Sequence, residues 1–159
     1  MEYPKETRAV IGPLESAIRG VNDSEVLFYL LAAELERGEP PVTAYVRAVD
    51  ALVGVWRDLG RPAPGPYSGL NVLLTRGPSE LWAFCHWRGE HGSSFFDPRR
   101  PYYEMAYVAD AKQVVVGSEP FDADVGRWNS LRNGEYLAAR ADGGLVTVET
   151  GRLAIPPGS

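Results

Sequence analysis

The chain has 159 residues, 45% of them apolar and 23% charged, which is the balance of a folded globule rather than of a disordered chain. Its 21 acidic residues against 16 basic ones leave a net charge of −5, with Arg99-Arg100 the only adjacent basic pair, so a phosphate-tracking stripe and a nucleic-acid partner are not expected. The single cysteine, Cys85, allows no internal disulfide and fits a reducing compartment. The longest mostly apolar run, Val26 to Leu35, is broken by Glu34 and falls far short of the roughly 20 residues of a membrane span. No basic stretch followed by an apolar one stands at the start, so the expectation is a cytoplasmic protein without a membrane partner, built as a single domain with a core of its own.

Residues 1–19 carry Pro4 and Pro13 and only a few apolar positions, and read as an irregular lead-in. A helix starts at Asn22: asparagine is a favoured N-cap, and Glu25, three residues on, can return a hydrogen bond to the cap. Val26, Tyr29, Leu30 and Ala33 keep helical spacing, Leu27, Phe28 and Leu31 widen the apolar face, and Gly38 with Pro40-Pro41 ends the run. A second helix is expected over Val42–Leu59, where Val42, Tyr45, Val46, Val49, Leu52, Val53 and Trp56 follow the i, i+3, i+4, i+7 rule. Together they make a helical pair over 22–59.

Gly60 to Gly69 holds three prolines and three glycines and marks a change of architecture, after which the period becomes 2. Across 68–155 the expectation is antiparallel sheet. Strands are placed at Leu70–Thr75 and Leu81–Trp87 around an Arg76-Gly77-Pro78-Ser79 turn, at Tyr103–Ala109 and Gln113–Ser118, and at Glu135–Ala141 and Leu145–Glu149 around Asp142-Gly143-Gly144. Helices first and hairpins second give an α+β fold. Runs such as Asn71-Val72-Leu73-Leu74 and Val114-Val115-Val116 suggest a sheet covered on both faces.

Most chemistry-bearing side chains have an ordinary structural reading. His86 and His91 lack further ligands at metal spacing, so no metal site is expected. Cys85 lies mid-strand, with His86 pointing to the opposite face, and reads as a small core residue rather than a thiolate. Asn133-Gly134, a conceivable oxyanion-binding pair, reads as a turn with positive φ. The Phe95-Phe96 and Tyr102-Tyr103 pairs read as core anchors.

The segment Gly20-Val21-Asn22-Asp23-Ser24-Glu25-Val26-Leu27-Phe28 resembles the Gly-Asp-Thr-Asp-Ser-Glu helix start of class II glutamine amidotransferases, which are N-terminal-nucleophile hydrolases. It is similar especially to the small stand-alone members grouped with the γ-glutamyl hydrolases of ergothioneine synthesis. Leu70-Asn71-Val72-Leu73-Leu74-Thr75-Arg76-Gly77 with Leu81-Trp82-Ala83-Phe84 resembles that family's Leu-Asn strand, Gly turn and Leu-Trp-Ala strand. Ser118-Glu119-Pro120-Phe121, followed by Trp128, Leu131 and Gly134, resembles its Ser-Glu-Pro-Leu ending. The three matches fall in order over about Gly20 to Thr150, and the domain they imply spans residues 20–155.

The resemblance implies a four-layer αββα sandwich and hydrolysis of a glutamine or γ-glutamyl amide through a thioester on an N-terminal cysteine, with no cofactor. By position, Asp23 would pair with the substrate α-ammonium, and Asn22 stands beside it in place of the family's threonine, keeping a cap but not a hydroxyl. The chain departs from the pattern where it begins. Glu2 follows Met1 where the nucleophile is needed, and no His-Asn-Gly segment or preceding arginine stands upstream of Gly20. The domain over 20–155 is therefore expected to be partial, without a catalytic residue of its own and inactive alone. It would be a truncation, a piece complementing an N-terminal fragment, or a non-catalytic binding module, and its uncovered sheet would favour self-association or a partner.

Overall fold

The computed structural model describes residues 5–20, 23–61, 65–95, 97–121 and 124–155. The chain divides into two compact units, residues 1–66 with 154–159, and residues 67–153. The boundary lies inside the Pro/Gly-rich stretch where the sequence period changes.

The first unit is helical. Short helix α1 (Lys5–Ala9) is followed by a 3-10 turn over Gly12–Ala17. Much of the expected irregular lead-in is therefore helical, anchored by Ile11 and Thr7, which are almost wholly buried. Pro13 does not interrupt it, because proline sits in the first turn of the 3-10 helix, where its missing N–H leaves no bond unmade.

Helix α2 (Asp23–Glu36) and helix α3 (Pro41–Asp58) follow, packed on each other. Val26, Leu27, Leu30 and Leu31 of α2 and Ala44, Tyr45, Ala48, Val49 and Leu52 of α3 are buried. Phe28, on the wide apolar face of α2, stays 56% exposed. Both helices end in the same device. At α2 the Gly38 N–H reaches Leu35 O (3.0 Å) and the Glu39 N–H reaches Glu34 O (3.2 Å). At α3 the Gly60 N–H reaches Arg57 O (2.9 Å) and the Arg61 N–H reaches Trp56 O (3.2 Å). These are Schellman caps, and each needs a left-handed residue after the helix, supplied by Gly38 (φ 87°) and Gly60 (φ 62°). Arg47 of α3 bridges Glu34 (3.6 Å) and Glu39 (2.5 Å), which ties the link between the helices to α3.

The second unit is antiparallel sheet. Strands β1 (Val72–Arg76), β2 (Glu80–Cys85), β6 (Glu135–Asp142) and β7 (Leu145–Arg152) form a four-stranded sheet in the order β1-β2-β6-β7. Strands β3 (Met105–Ala109), β4 (Val114–Gly117) and β5 (Asn129–Leu131) form a three-stranded one in the order β4-β3-β5. The β6–β7 hairpin turns on Gly143 and Gly144, both at positive φ (56° and 81°), as a two-residue type I′ turn requires. Strand β5 has no signature in the sequence, since three residues are too few to carry a readable period.

Ala83, Cys85, Leu137 and Ala139 of the larger sheet meet Met105 and Leu131 of the smaller one in a single buried cluster. On the opposite face of β2, Trp82 and Phe84 are also buried. The expectation of sheet covered on both faces thus holds at central β2 and fails toward the edges. Leu73 of edge strand β1 is 53% exposed, and Val114, Val115 and Val116 of edge strand β4 are only half-buried. The protein is α+β. Among the described residues no helix is long and apolar enough to cross a membrane.

Candidate functional site

The segment leading into α2 is held by backbone amides on one carboxylate. The Arg19 N–H donates to Glu25 Oε1 (3.0 Å) and the Gly20 N–H to Glu25 Oε2 (2.8 Å). Arg8 Nη2 donates to Gly20 O (3.0 Å), and the Tyr29 hydroxyl donates to Ala17 O (3.2 Å). Glu25 therefore receives the Arg19 and Gly20 amides, a contact the capping-box pattern does not name; the bond that pattern expects with Asn22 rests on a residue outside those described. The Arg19 amide bond, then the Gly20 amide and the nearby Arg8 and Arg19 charges, outweigh partial desolvation and hold its carboxyl below the ordinary glutamate range. Asn22 lies outside the described residues. Asp23 opens α2 with its backbone, and its side chain lies outside the described residues as well.

The other sequence candidates all fall in the sheet unit, and most have structural duties. The Cys85 thiol is wholly buried and donates to Tyr103 O (3.4 Å). Burial, chiefly, pushes it up to about 12, so at neutral pH it carries no thiolate. Asn133-Gly134 is a turn, with Gly134 at φ 75°. The Asn133 side chain imitates a strand partner for Trp87: its Oδ1 accepts the Trp87 N–H (2.8 Å) and its Nδ2 donates to Trp87 O (3.0 Å). Both ends of that amide are thus engaged by the Trp87 main chain, which gives Asn133 a structural duty. Asn71 links two segments instead, accepting the His86 N–H (3.2 Å) and donating to Tyr103 O (2.7 Å).

His86 is the one buried imidazole. Its Nε2 meets the Tyr67 hydroxyl at 2.8 Å, while Nδ1 is buried with no hydrogen-bond partner among the described residues. Desolvation, and after it the Arg88 charge, depress its pKa to about 4. Asn133 counters this slightly, although its amide is spent on Trp87. His86 is thus a neutral structural group at neutral pH. His91 is exposed and stacks edge-on against Tyr103. Among the described residues no three His, Cys, Asp or Glu side chains gather to hold a metal.

Two findings were not legible in the sequence. Phe95, read as a core anchor, is 84% exposed and packs edge-on against Tyr102; Phe96 lies outside the described residues. The Ser118-Glu119-Pro120 segment places the Glu119 carboxylate on the buried Ser94 hydroxyl. Nearby in sequence to Ser94, Arg100 pairs with Glu104 (3.2 Å), which also accepts from Ser130 Oγ (2.7 Å). The Ser94–Glu119 and Glu104–Ser130 bonds join segments 25 and 26 residues apart in sequence. The pattern of an isolated acidic residue in a loop offers no signal for such pairing.

No family model matches the chain, and no curated protein or solved structure matches it either.

Proposed function

We propose that residues 20–155 are the carboxy-terminal portion of a class II glutamine amidotransferase domain of the αββα, N-terminal-nucleophile type. Its reaction is hydrolysis of a glutamine or γ-glutamyl amide, and this chain contributes the end that holds the amino-acid group of the substrate. The observation that carries the reading is the turn before α2. Glu25 clamps the Arg19 and Gly20 amides and so fixes the approach to a helix whose first residue is Asp23, the position matched to the family's ammonium-binding aspartate. A helical pair in one unit and two facing antiparallel sheets in the other are compatible with that architecture.

The chemistry needs a thiolate at a free α-amino group, with donors aimed at the oxyanion. Cys85 is the only cysteine of these residues, and its buried, protonated thiol does not meet that need. The same observation favours a second reading, a non-catalytic binding module derived from the fold.

Titration of the isotope-labelled chain with L-glutamine, followed by amide shifts, tests the proposal. Shifts confined to Asp23–Leu27 and abolished by Asp23→Ala are expected, together with no ammonia above blank. Absence of any shift up to the solubility of glutamine would sink the substrate-holding role. Ammonia release that depends on Asp23 would sink the claim that the chain is inactive alone.

A further inference from the structure

The outer edge of β7 is built to accept another strand. In a two-residue hairpin the flanking residues Asp142 and Leu145 form a hydrogen-bonded pair, so the odd-numbered residues of β7 bond to β6 and the even-numbered ones turn their N–H and C=O outward. The Val146 N–H confirms the parity by donating outward to Ala111 O (2.9 Å). Beyond it the outward amides of Val148 and Thr150 have no backbone partner among the described residues, and Thr150 is exposed.

Natural edges are usually blunted by shortness, proline, lysine or a bulge. Edge strands β1, β4 and β5 have five, four and three residues, whereas β7 has eight, contains neither proline nor lysine, and pairs with β6 without a register break. The space inside the sandwich is also open on this side. Val146 and Val148 border the buried cluster yet remain only half-buried. At the far end Tyr107, Ser130, Leu131, Glu135, Thr150, Gly151 and Arg152 line an open cavity of about 140 Å³ whose walls are polar as much as apolar. On the outer face of the same stretch the one charge is Glu149, which is exposed.

We propose that the Val148–Arg152 edge of β7 binds an extended segment of another polypeptide by strand addition. The incoming strand carries aliphatic residues on the face toward the sandwich interior and a basic residue on the other face, opposite Glu149. Main-chain bonds to Val148 and Thr150 give the affinity, and the half-buried Val148 on one face and Glu149 on the other set the side-chain pattern. A second copy of β7 is the competing occupant: centring that pair on Glu149 would set two carboxylates directly opposite each other and centring it on Val148 would meet the Ala111 contact at Val146, which leaves the Thr150-centred register for the test to decide.

The test uses the whole chain and an end-capped synthetic peptide alternating valine and lysine. Its valines share the interior face with Val148 and Thr150, so their N–H groups point at β7 and those of the lysines point away. Peptide N-methylated on every lysine should slow exchange of the Val148 and Thr150 amides, and peptide N-methylated on every valine should not. Thr150→Pro removes an outward N–H that the β6–β7 ladder does not use, and should weaken binding about tenfold or more. Equal binding of the two methylated peptides overturns the proposal without any variant having to fold. So does a chain that self-associates in sedimentation and becomes monomeric on Thr150→Pro, which would make the occupant a second copy.

Discussion

The two units are closed by different means. The helical unit ends its helices with backbone alone: two Schellman caps, each on a glycine at positive φ, satisfy the last carbonyls without any side chain. Where the β2 strand runs out, the sheet unit closes with side chains. Asn133 bonds both main-chain groups of Trp87 as a neighbouring strand would, Asn71 accepts the His86 N–H and donates to Tyr103 O, and the His86 ring is held by the Tyr67 hydroxyl. Backbone caps are local and tolerate change around them. Side-chain clamps depend on single residues far apart in sequence, so substitutions and pH should act on the sheet unit more sharply.

The largest effect separates the two cores. Leu137→Ala empties the centre of the cluster shared by the two sheets, and Leu52→Ala empties the α2–α3 contact; each residue is almost wholly buried. Each should cost about 2–5 kcal/mol, by lost transfer energy plus a cavity. Urea unfolding in a Trp56→Phe background, followed by fluorescence of the tryptophans left in the sheet unit and by far-ultraviolet dichroism for the helices, checks whether each loss falls on its own unit. Coincident shifts in both signals would show that the units unfold together.

Next is acid. His86 has its pKa depressed from an ordinary 6.5 to about 4, first by burial and then by Arg88. Above pH 6.5 it is neutral in both states and contributes no pH dependence. As the pH falls from 6.5 to 4 the unfolded chain takes up a proton that the folded one refuses, so stability drops across that window and levels off below it. The loss is at most about 3 kcal/mol, because partial solvent access screens part of the penalty. Unfolding free energies of the wild type and His86→Gln at pH 7, 5 and 4 check this. The variant should lose markedly less on acidification, and parallel curves would assign the acid sensitivity to carboxylates instead.

The clamp itself comes third. Asn133→Ala strips Trp87 of both side-chain partners and should cost about 1–3 kcal/mol. Asn133→Asp keeps the acceptor for the Trp87 N–H but faces Trp87 O with a carboxylate, and it should recover only part of the loss. Equal stability of all three proteins by thermal denaturation would mean that water replaces the clamp freely.

The same contrast explains what the sequence reveals. Long periodic segments are legible because burial of one face imposes the period: Tyr45, Val49 and Leu52 mark α3, and the Asp142-Gly143-Gly144 turn marks the β6–β7 hairpin. Helix α1 and strand β5 are too short for a period to show. The duties of Asn71, Asn133 and Glu119 were hidden because each bonds to a segment at least fifteen residues away, and a polar residue in a loop does not name its partner. At the candidate site the capping-box pattern marks Glu25 as a bond-former toward Asn22, which lies outside the described residues; it does not show that the chain folds back so that the Arg19 and Gly20 amides reach the same carboxylate.

That fold-back gives the smallest effect and the one closest to the proposed function. The Glu25 carboxylate is held below its ordinary pKa of 4.5, first by the Arg19 amide, so its stabilising contribution is present above pH 4.5 and is lost as pH falls through the lower folded value. Because the group is solvent-exposed, Glu25→Gln should leave the melting temperature nearly unchanged. The effect should be local instead. Gln keeps one acceptor oxygen where the carboxylate offers two, so one of the Arg19 and Gly20 amides loses its partner and should exchange with solvent faster, while amides within α3 do not change. If the turn positions Asp23 for an amino-acid ligand, the same variant should weaken glutamine binding although Glu25 touches no ligand, and Glu25→Asp, too short to span both amides, should not restore it. Faster exchange with unaltered glutamine binding would separate the turn from the site and leave Glu25 as a cap alone.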